Sequence, residues 1–134
     1  DAGTAEEILK VSRAIPYYTL HLCHEIWSGC ADMKNVPRSA VAEAVARIVQ
    51  GLSPMFLSMW DSLALSQRKL LRAMALSPEA DLFSMGFINS YRLGSASSVQ
   101  KSEALLLAKG LLEKEGGLAA FSDIWFCEWI RKKG

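Results

Sequence analysis

The stretch Tyr91–Gly117 constrains the fold of this chain more than any other. Gly94 suits the end of one helix, because glycine tolerates the left-handed conformation that follows a helix C-terminus. Gly110 ends a second helix in the same way. Gly116-Gly117 is a two-residue hairpin signal between two short strands. The stretch therefore predicts a turn, a helix and a β-hairpin: helix Ser97–Lys109, strand Leu111–Glu115 and strand Leu118–Phe121.

Two predicted helices precede this stretch and one follows it. In Leu65–Ala75 the apolar residues repeat at spacings of three and four, which is typical of an amphipathic helix. Ser77-Pro78 ends that helix, because a proline ring clashes inside a helix. Further helices are predicted over Ala80–Tyr91 and Ser122–Lys132. This order predicts a winged helix-turn-helix, in which the third helix can enter a DNA major groove.

The first half of the chain predicts a small bundle of about four helices. Thr4 and Glu7 have the spacing of a capping box, and Ala31–Val36 has the polar composition of a loop. Gly51 and Pro54 predict a break between two helices. The predicted fold class is therefore mainly α, with a helical bundle over residues 1–63 and a winged helix-turn-helix with a short β-hairpin wing over residues 64–134. The predicted bundle helices are Thr4–Ser12, Pro16–Ser28, Pro37–Gln50 and Pro54–Leu63.

Several segments resemble one protein family. LSQRKLLRAMA, YRLGSASSVQKSEALLLAKGLLEKEGG and FSDIWFCEWIRK are similar to the C-terminal winged-helix domain of archaeal-type AAA+/STAND P-loop ATPases, and AIPYYTLHLCHEIW resembles the helical lid before it. The resemblance implies a preceding P-loop ATPase domain that binds ATP and Mg²⁺, with this chain coupling nucleotide state to nucleic acid or protein. It places Pro16 in the lid motif and makes Arg13 a candidate for reaching a phosphate. The alternative is a stand-alone winged helix, either transcription-regulator-like or protein-docking.

The candidate DNA-binding residues surround the start of the third helix. Gln can read adenine through two hydrogen bonds, and Lys can contact guanine or phosphate. Glu103, Glu113 and Glu115 argue against this role, because acidic residues at a groove interface repel phosphate. Double-stranded DNA and a protein partner therefore both stay open. The candidates are Arg92, Ser95, Ser97, Ser98, Gln100, Lys101 and Lys114.

The net charge of +1 is unevenly divided. Residues 1–62 carry five Lys/Arg and seven Asp/Glu, whereas residues 63–134 carry ten and seven. A specialised DNA-binding domain is usually more basic, so tight autonomous binding is not expected. No apolar run approaches the ~20 residues that span a bilayer, and no signal peptide is visible. Three cysteines without paired spacing favour a reducing compartment. We expect a cytoplasmic protein without membrane contact.

Catalytic and metal-binding patterns are weak in this sequence. His21, Cys23, His24 and Glu25 cluster on one predicted helix, but their spacing is not that of a zinc site, and ordinary packing or surface positions are expected. The sequence holds no G-x-S-x-G, no Cys–His signature and no P-loop motif. We therefore expect no enzyme activity, no metal and no cofactor in this chain itself. The terminal aromatics, including Trp125 and Trp129, predict a core stripe.

Overall fold

The computed structural model describes residues 2–29 and 36–133. Its elements confirm the predicted mainly α fold, with a helical first half followed by helices and one two-stranded hairpin. The predicted loop Ala31–Val36 lies outside the described residues except for Val36, and Cys30 also lies outside them. The elements are α1 Ala2–Val11, α2 Pro16–Gly29, α3 Ser39–Asp61, α4 Leu65–Leu76, α5 Met85–Ser90, α6 Ala96–Ala108, β1 Leu112–Glu115, β2 Leu118–Phe121 and α7 Ile124–Lys133.

The chain divides into two compact units, residues 1–53 and residues 54–134. The domain boundary at residue 63 stays a prediction, but the second compact unit begins before it. The reason lies in the last two turns of α3. The ring of Phe56 lies 5.2 Å from that of Phe126, and the ring of Trp60 lies 6.0 Å from that of Trp129. These contacts attach the end of α3 to α7.

In the first unit, polar side chains of α1 bond to the residues that lead into α3. Thr4 Oγ1 donates a hydrogen bond of 2.8 Å to the carbonyl of Val36. Arg38 pairs with Glu7 at 2.7 Å, and this hydrogen bond holds the pKa of the Glu7 carboxyl below its ordinary value. The predicted capping box of Thr4 and Glu7 is therefore wrong. Helix α1 begins before Thr4, and both side chains bond elsewhere.

The break predicted at Gly51 and Pro54 is also wrong, because α3 is one continuous helix with Pro54 inside it. Proline removes a single backbone donor from a helix. On either side of it the helix is held by buried side chains, with Ile48 and Val49 in the first unit and Phe56 in the second. The packing of these side chains therefore outweighs the tendency of Pro54 to break the helix.

Among the described helices, α3 has the length and apolar composition that would allow it to cross a membrane. Buried helices of a protein core meet the same criterion. The helix carries two exposed charged residues, Glu43 and Arg47, whereas Val41, Val45 and Ile48 are buried within the first unit. This pattern is that of an amphipathic core helix.

The second unit is built around α4, which packs against both α6 and α7. Helix α5 is shorter than the predicted Ala80–Tyr91, because side chains before it bond to the backbone and compete with the helix. The Asp81 carboxylate accepts from the N–H of Phe83 at 3.0 Å. Ser84 then caps α5 by accepting from the N–H of Phe87 at 3.2 Å.

The terminal helix closes the core of this unit. Phe126 and Trp129 are stacked with ring centroids 5.9 Å apart, and Phe121 at the end of β2 lies 6.4 Å from Phe126. Trp125 is 2% exposed. The prediction that the terminal aromatics form a core stripe is therefore confirmed.

Trp125→Ala should lower the free energy of unfolding by about 3–5 kcal/mol, because it removes a large buried ring and leaves a cavity. Trp27→Ala is the matched control. Trp27 is 69% exposed, so we expect a change within about 0.5 kcal/mol. Urea unfolding followed by circular dichroism measures both. Similar small losses in the two variants would contradict the placement of Trp125.

Candidate nucleic-acid interface

The N-terminus of α6 is organised by a cluster of serine hydroxyls. Ser95 is the N-cap, and its Oγ accepts a hydrogen bond of 3.2 Å from the backbone N–H of Ser98. The same Oγ lies 3.2 Å from Ser97 Oγ and 3.1 Å from Ser98 Oγ. All three side chains are exposed. The cap therefore fixes the start of α6 and presents hydroxyls and free backbone N–H groups on one surface.

The outward face of α6 continues from these serines with Gln100 and Lys101, both exposed. The inward face carries Val99 and Leu106, which are buried against the rest of the unit. Gln100 and Lys101 follow Ser97 by three and four residues, so they lie on the same face of the helix. The structure thus brings the predicted residues of the third helix together on one exposed surface.

Glu103 lies on the other side of the helix. It is buried, and its Oε1 accepts a hydrogen bond of 2.9 Å from Lys114 Nζ on the wing. The expectation that Glu103 opposes phosphate at the outward face is therefore wrong, because the carboxylate points into the unit and is neutralised by a partner. Lys114 remains 51% exposed in its side chain. Its charge is nevertheless shared with Glu103.

The wing is a tight hairpin. Gly116 and Gly117 both have positive φ, 61° and 84°, which a two-residue turn of this kind requires. Its strands pair in antiparallel register, with Glu115 opposite Leu118. Glu113 and Glu115 are exposed, and Leu118 at the tip is 75% exposed. The wing therefore exposes two carboxylates and one large apolar side chain, and Lys114 is its one cation.

Arg92 lies in the turn between α5 and α6 with a positive φ of 54°. The N–H of Leu93 bonds to the carbonyl of Ile88 at 2.9 Å, which is the pattern of a helix C-terminus that usually carries glycine. An arginine in this conformation is uncommon. Arg92 is exposed and precedes the first residue of α6 by four positions.

The candidates of the first unit lie at the end of α1 and the start of α2. Arg13 and Ala14 both have a φ of 55°, and the N–H of Ala14 bonds to the carbonyl of Leu9 at 2.9 Å. Pro16 is the first residue of α2, as its ring predicts. Arg13 and Pro16 are both exposed. These residues form the turn that joins α1 to α2.

The apolar line of α2 faces solvent. Tyr17, Leu20 and Trp27 are each more than half exposed, whereas Leu22 and Ile26 are buried. His24 lies on the same exposed line. Within residues 2–29 and 36–133, no group of three or more His, Cys, Asp or Glu side chains comes together in a way that could hold a metal ion.

The ion pair between Glu103 and Lys114 was missed by sequence reasoning, although the burial of Glu103 itself has a signal in the sequence. Val99, Glu103 and Leu106 are spaced by four and three residues, which places Glu103 on the buried face of the helix. A charge at such a position needs a partner. Lys114 is the residue that the hairpin brings to it.

The comparisons with known proteins give one family. A family model described as a probable winged helix domain matches residues 54–132. Neither the search of curated proteins nor the search of solved structures gives a match. The matched residues cover α4 to α7 and the wing, together with the end of α3 that packs with α7.

Lys114→Met should lower the free energy of unfolding by about 1–2 kcal/mol, because it leaves the buried Glu103 carboxylate without its cation. Lys109→Met is the matched control on an exposed lysine after α6. We expect a change within about 0.5 kcal/mol there. Adding Glu103→Gln to Lys114→Met should recover part of the loss. Strictly additive losses in this cycle would contradict the pairing.

Proposed function

The chain belongs to the probable winged helix domain family, and we propose that its winged helix binds duplex DNA through the outward face of α6. In this proposal the third helix of the winged helix enters the major groove, as the third helix of related architectures does.

One observation carries the proposal, and it concerns the two charged residues of α6. Lys101 is exposed on the outward face, whereas Glu103 is buried and paired with Lys114. The outward face therefore has a positive charge and no acid along the whole helix. Gln100 beside Lys101 can read a base edge, and the capped N-terminus with Ser97 can approach a phosphate.

The proposed binding is weak, and its affinity falls only modestly as the salt concentration rises. Residues 91–121 carry four Lys/Arg and three Asp/Glu, of which Glu113 and Glu115 are exposed on the wing. Since each neutralised phosphate contributes to the salt dependence, few such contacts give a small slope. The wing contributes little to affinity in this proposal.

A second candidate function is protein docking, and a different part of α6 favours it. Toward the C-terminus of the helix the outward residues become apolar, namely Ala104, Leu105 and Ala108. Leu118 at the wing tip is also exposed. A partner with an apolar contact surface would bury these side chains without meeting a phosphate backbone. This second candidate function covers the stand-alone winged helix that acts without an ATPase, either as a protein-docking domain or as a transcription-regulator-like domain.

We further propose that the chain is the C-terminal region of an AAA+/STAND-type ATPase, coupling nucleotide state to DNA or a partner. The support is the resemblance of both halves to that family. ATP and Mg²⁺ belong to the preceding domain in this proposal, with Arg13 and Pro16 in the lid. The chain itself has no enzymatic role, metal or cofactor in this proposal, and it acts in the cytoplasm without membrane contact.

The DNA proposal predicts salt-sensitive binding of a random 20-base-pair duplex by fluorescence anisotropy. Lys101→Ala should weaken binding and reduce the slope of log K against log salt by about one. Arg92→Gly should do the same, and the fold should persist because the backbone there suits glycine. Gln100→Ala should alter preference among selected sites more than overall affinity.

Lys69→Ala is the control for general electrostatics, since Lys69 is exposed on α4. It should change the slope less than Lys101→Ala does. Equal effects of the two substitutions would indicate that DNA does not bind specifically to the outward face of α6. A complete lack of binding at low salt would favour the docking function.

The ATPase proposal predicts that the gene encodes a G-x-x-x-x-G-K-[ST] loop upstream of Asp1. The longer protein should hydrolyse ATP in the presence of Mg²⁺, and Arg13→Ala should lower kcat at least about tenfold if this arginine contacts a phosphate. Arg92→Gly is the control and should leave kcat unchanged. A reading frame without such a loop would leave only the stand-alone functions.

A further inference from the structure

The lysine of the wing has no role in the proposed function, because its ammonium is held by α6. Lys114 Nζ donates a hydrogen bond of 2.9 Å to Glu103 Oε1. The Glu103 side chain is buried, whereas the Lys114 side chain is 51% exposed. A carboxylate that is removed from water is screened less than a surface carboxylate, so it attracts its partner more strongly. The pair therefore ties the one exposed end of Lys114 to the inner side of α6.

This pairing decides the charge that the wing shows to its surroundings. Lys114 is the only lysine or arginine in residues 111–121. Glu113 and Glu115 lie on either side of it, and both are exposed. With Lys114 neutralised by Glu103, the remaining charge of the wing is that of two carboxylates. A phosphate backbone at the wing would then meet repulsion and no free cation.

The wing lies where a DNA backbone would pass if α6 entered the major groove. A helix in that groove has a phosphate strand on each side, and β1 packs against α6. Lysine has a flexible four-carbon stem, so the ammonium of Lys114 could turn to a phosphate without a movement of the backbone. Such a turn would leave Glu103 as a buried carboxylate without a cation, which is strongly unfavourable. Glu103 therefore opposes a phosphate contact by Lys114.

We propose that Glu103 withholds Lys114 from the phosphate backbone and so limits the sequence-independent affinity of the wing for DNA. This inference rests on the proposed binding of duplex DNA by α6. Glu103 is a positioning residue, since it acts through Lys114 and does not face the duplex itself. Removal of its charge should strengthen DNA binding only while Lys114 is present. An acidic residue that repels phosphate directly would act with or without this lysine.

The test measures binding of the full chain to a random 20-base-pair duplex by fluorescence anisotropy at several salt concentrations. Glu103→Gln keeps the shape of the side chain and removes its charge. It should raise affinity about five- to tenfold at about 0.1 M salt and steepen the slope of log K against log salt by about one, because one more phosphate is neutralised. Lys114→Met alone should leave the slope unchanged. The double variant Glu103→Gln/Lys114→Met should return affinity and slope to the wild-type values.

Glu113→Gln is the matched control, because it removes an exposed carboxylate from the same strand. Any gain in affinity from this change reflects direct loss of repulsion, and it should be the same with and without Lys114→Met. Thermal unfolding of each variant verifies its fold at the temperature of the titrations. If Lys114→Met alone is unfolded, the comparison of Glu103→Gln with the double variant still decides the result.

Lys101→Ala is measured in parallel, so that failure of this inference can be separated from failure of DNA binding by α6. Wild-type binding that depends on Lys101 but is unchanged by Glu103→Gln would overturn the inference alone. A gain that persists in the double variant would also overturn it, as would a shallower slope for Lys114→Met alone. A gain that requires Lys114 without any effect of Lys101→Ala would support it and remove α6 from the contact. Absence of binding by both wild type and Glu103→Gln at low salt would overturn both proposals.

Discussion

The ring contacts of Phe126 are the interaction on which the rest of the second unit depends. This ring stacks on Trp129, and it also contacts Phe56 on α3 and Phe121 at the end of β2. The end of α3, strand β2 and helix α7 therefore share one aromatic core. Because β2 is anchored there and pairs with β1, the position of the wing beside α6 depends on the terminal helix. Helix α7 thus shapes the candidate DNA surface although it contributes no residue to it.

The fold could be predicted from the sequence wherever neither long-range packing nor a side-chain hydrogen bond opposed the local sequence signal. Two adjacent glycines leave few choices other than a tight hairpin, and Gly110 follows the C-cap of α6 with a positive φ of 78°. Gly94 was predicted to end α5 in the same way, but the left-handed residue directly after that helix is Arg92. The prediction was wrong where long-range packing or side-chain bonding decides. Pro54 does not break α3, because Phe56 is buried beyond it. The segment after Ala80 does not continue as a helix, because Asp81 bonds to the backbone first.

The candidate site was predictable in its exposed half only. Gln100 and Lys101 follow from helical spacing after the serine cap, so their exposure could be expected from the sequence. The pairing of Glu103 with Lys114 could not, because it requires the register of the hairpin relative to α6. Sequence reasoning treated the two residues separately, one as an obstacle to DNA and the other as an aid. The two charges neutralise each other, so Glu103 is no obstacle to DNA and Lys114 is a weaker aid to DNA binding than expected.

The distribution of charge connects these observations. A helix that reads DNA by itself needs cations around it to hold the phosphate backbone, yet the wing of this unit is acidic and its lysine is paired. Helices α4 and α7 carry six Lys/Arg instead. A separation of the cations from α6 is expected if another part of an assembly supplies the affinity for DNA. The winged helix would then select among DNA sequences.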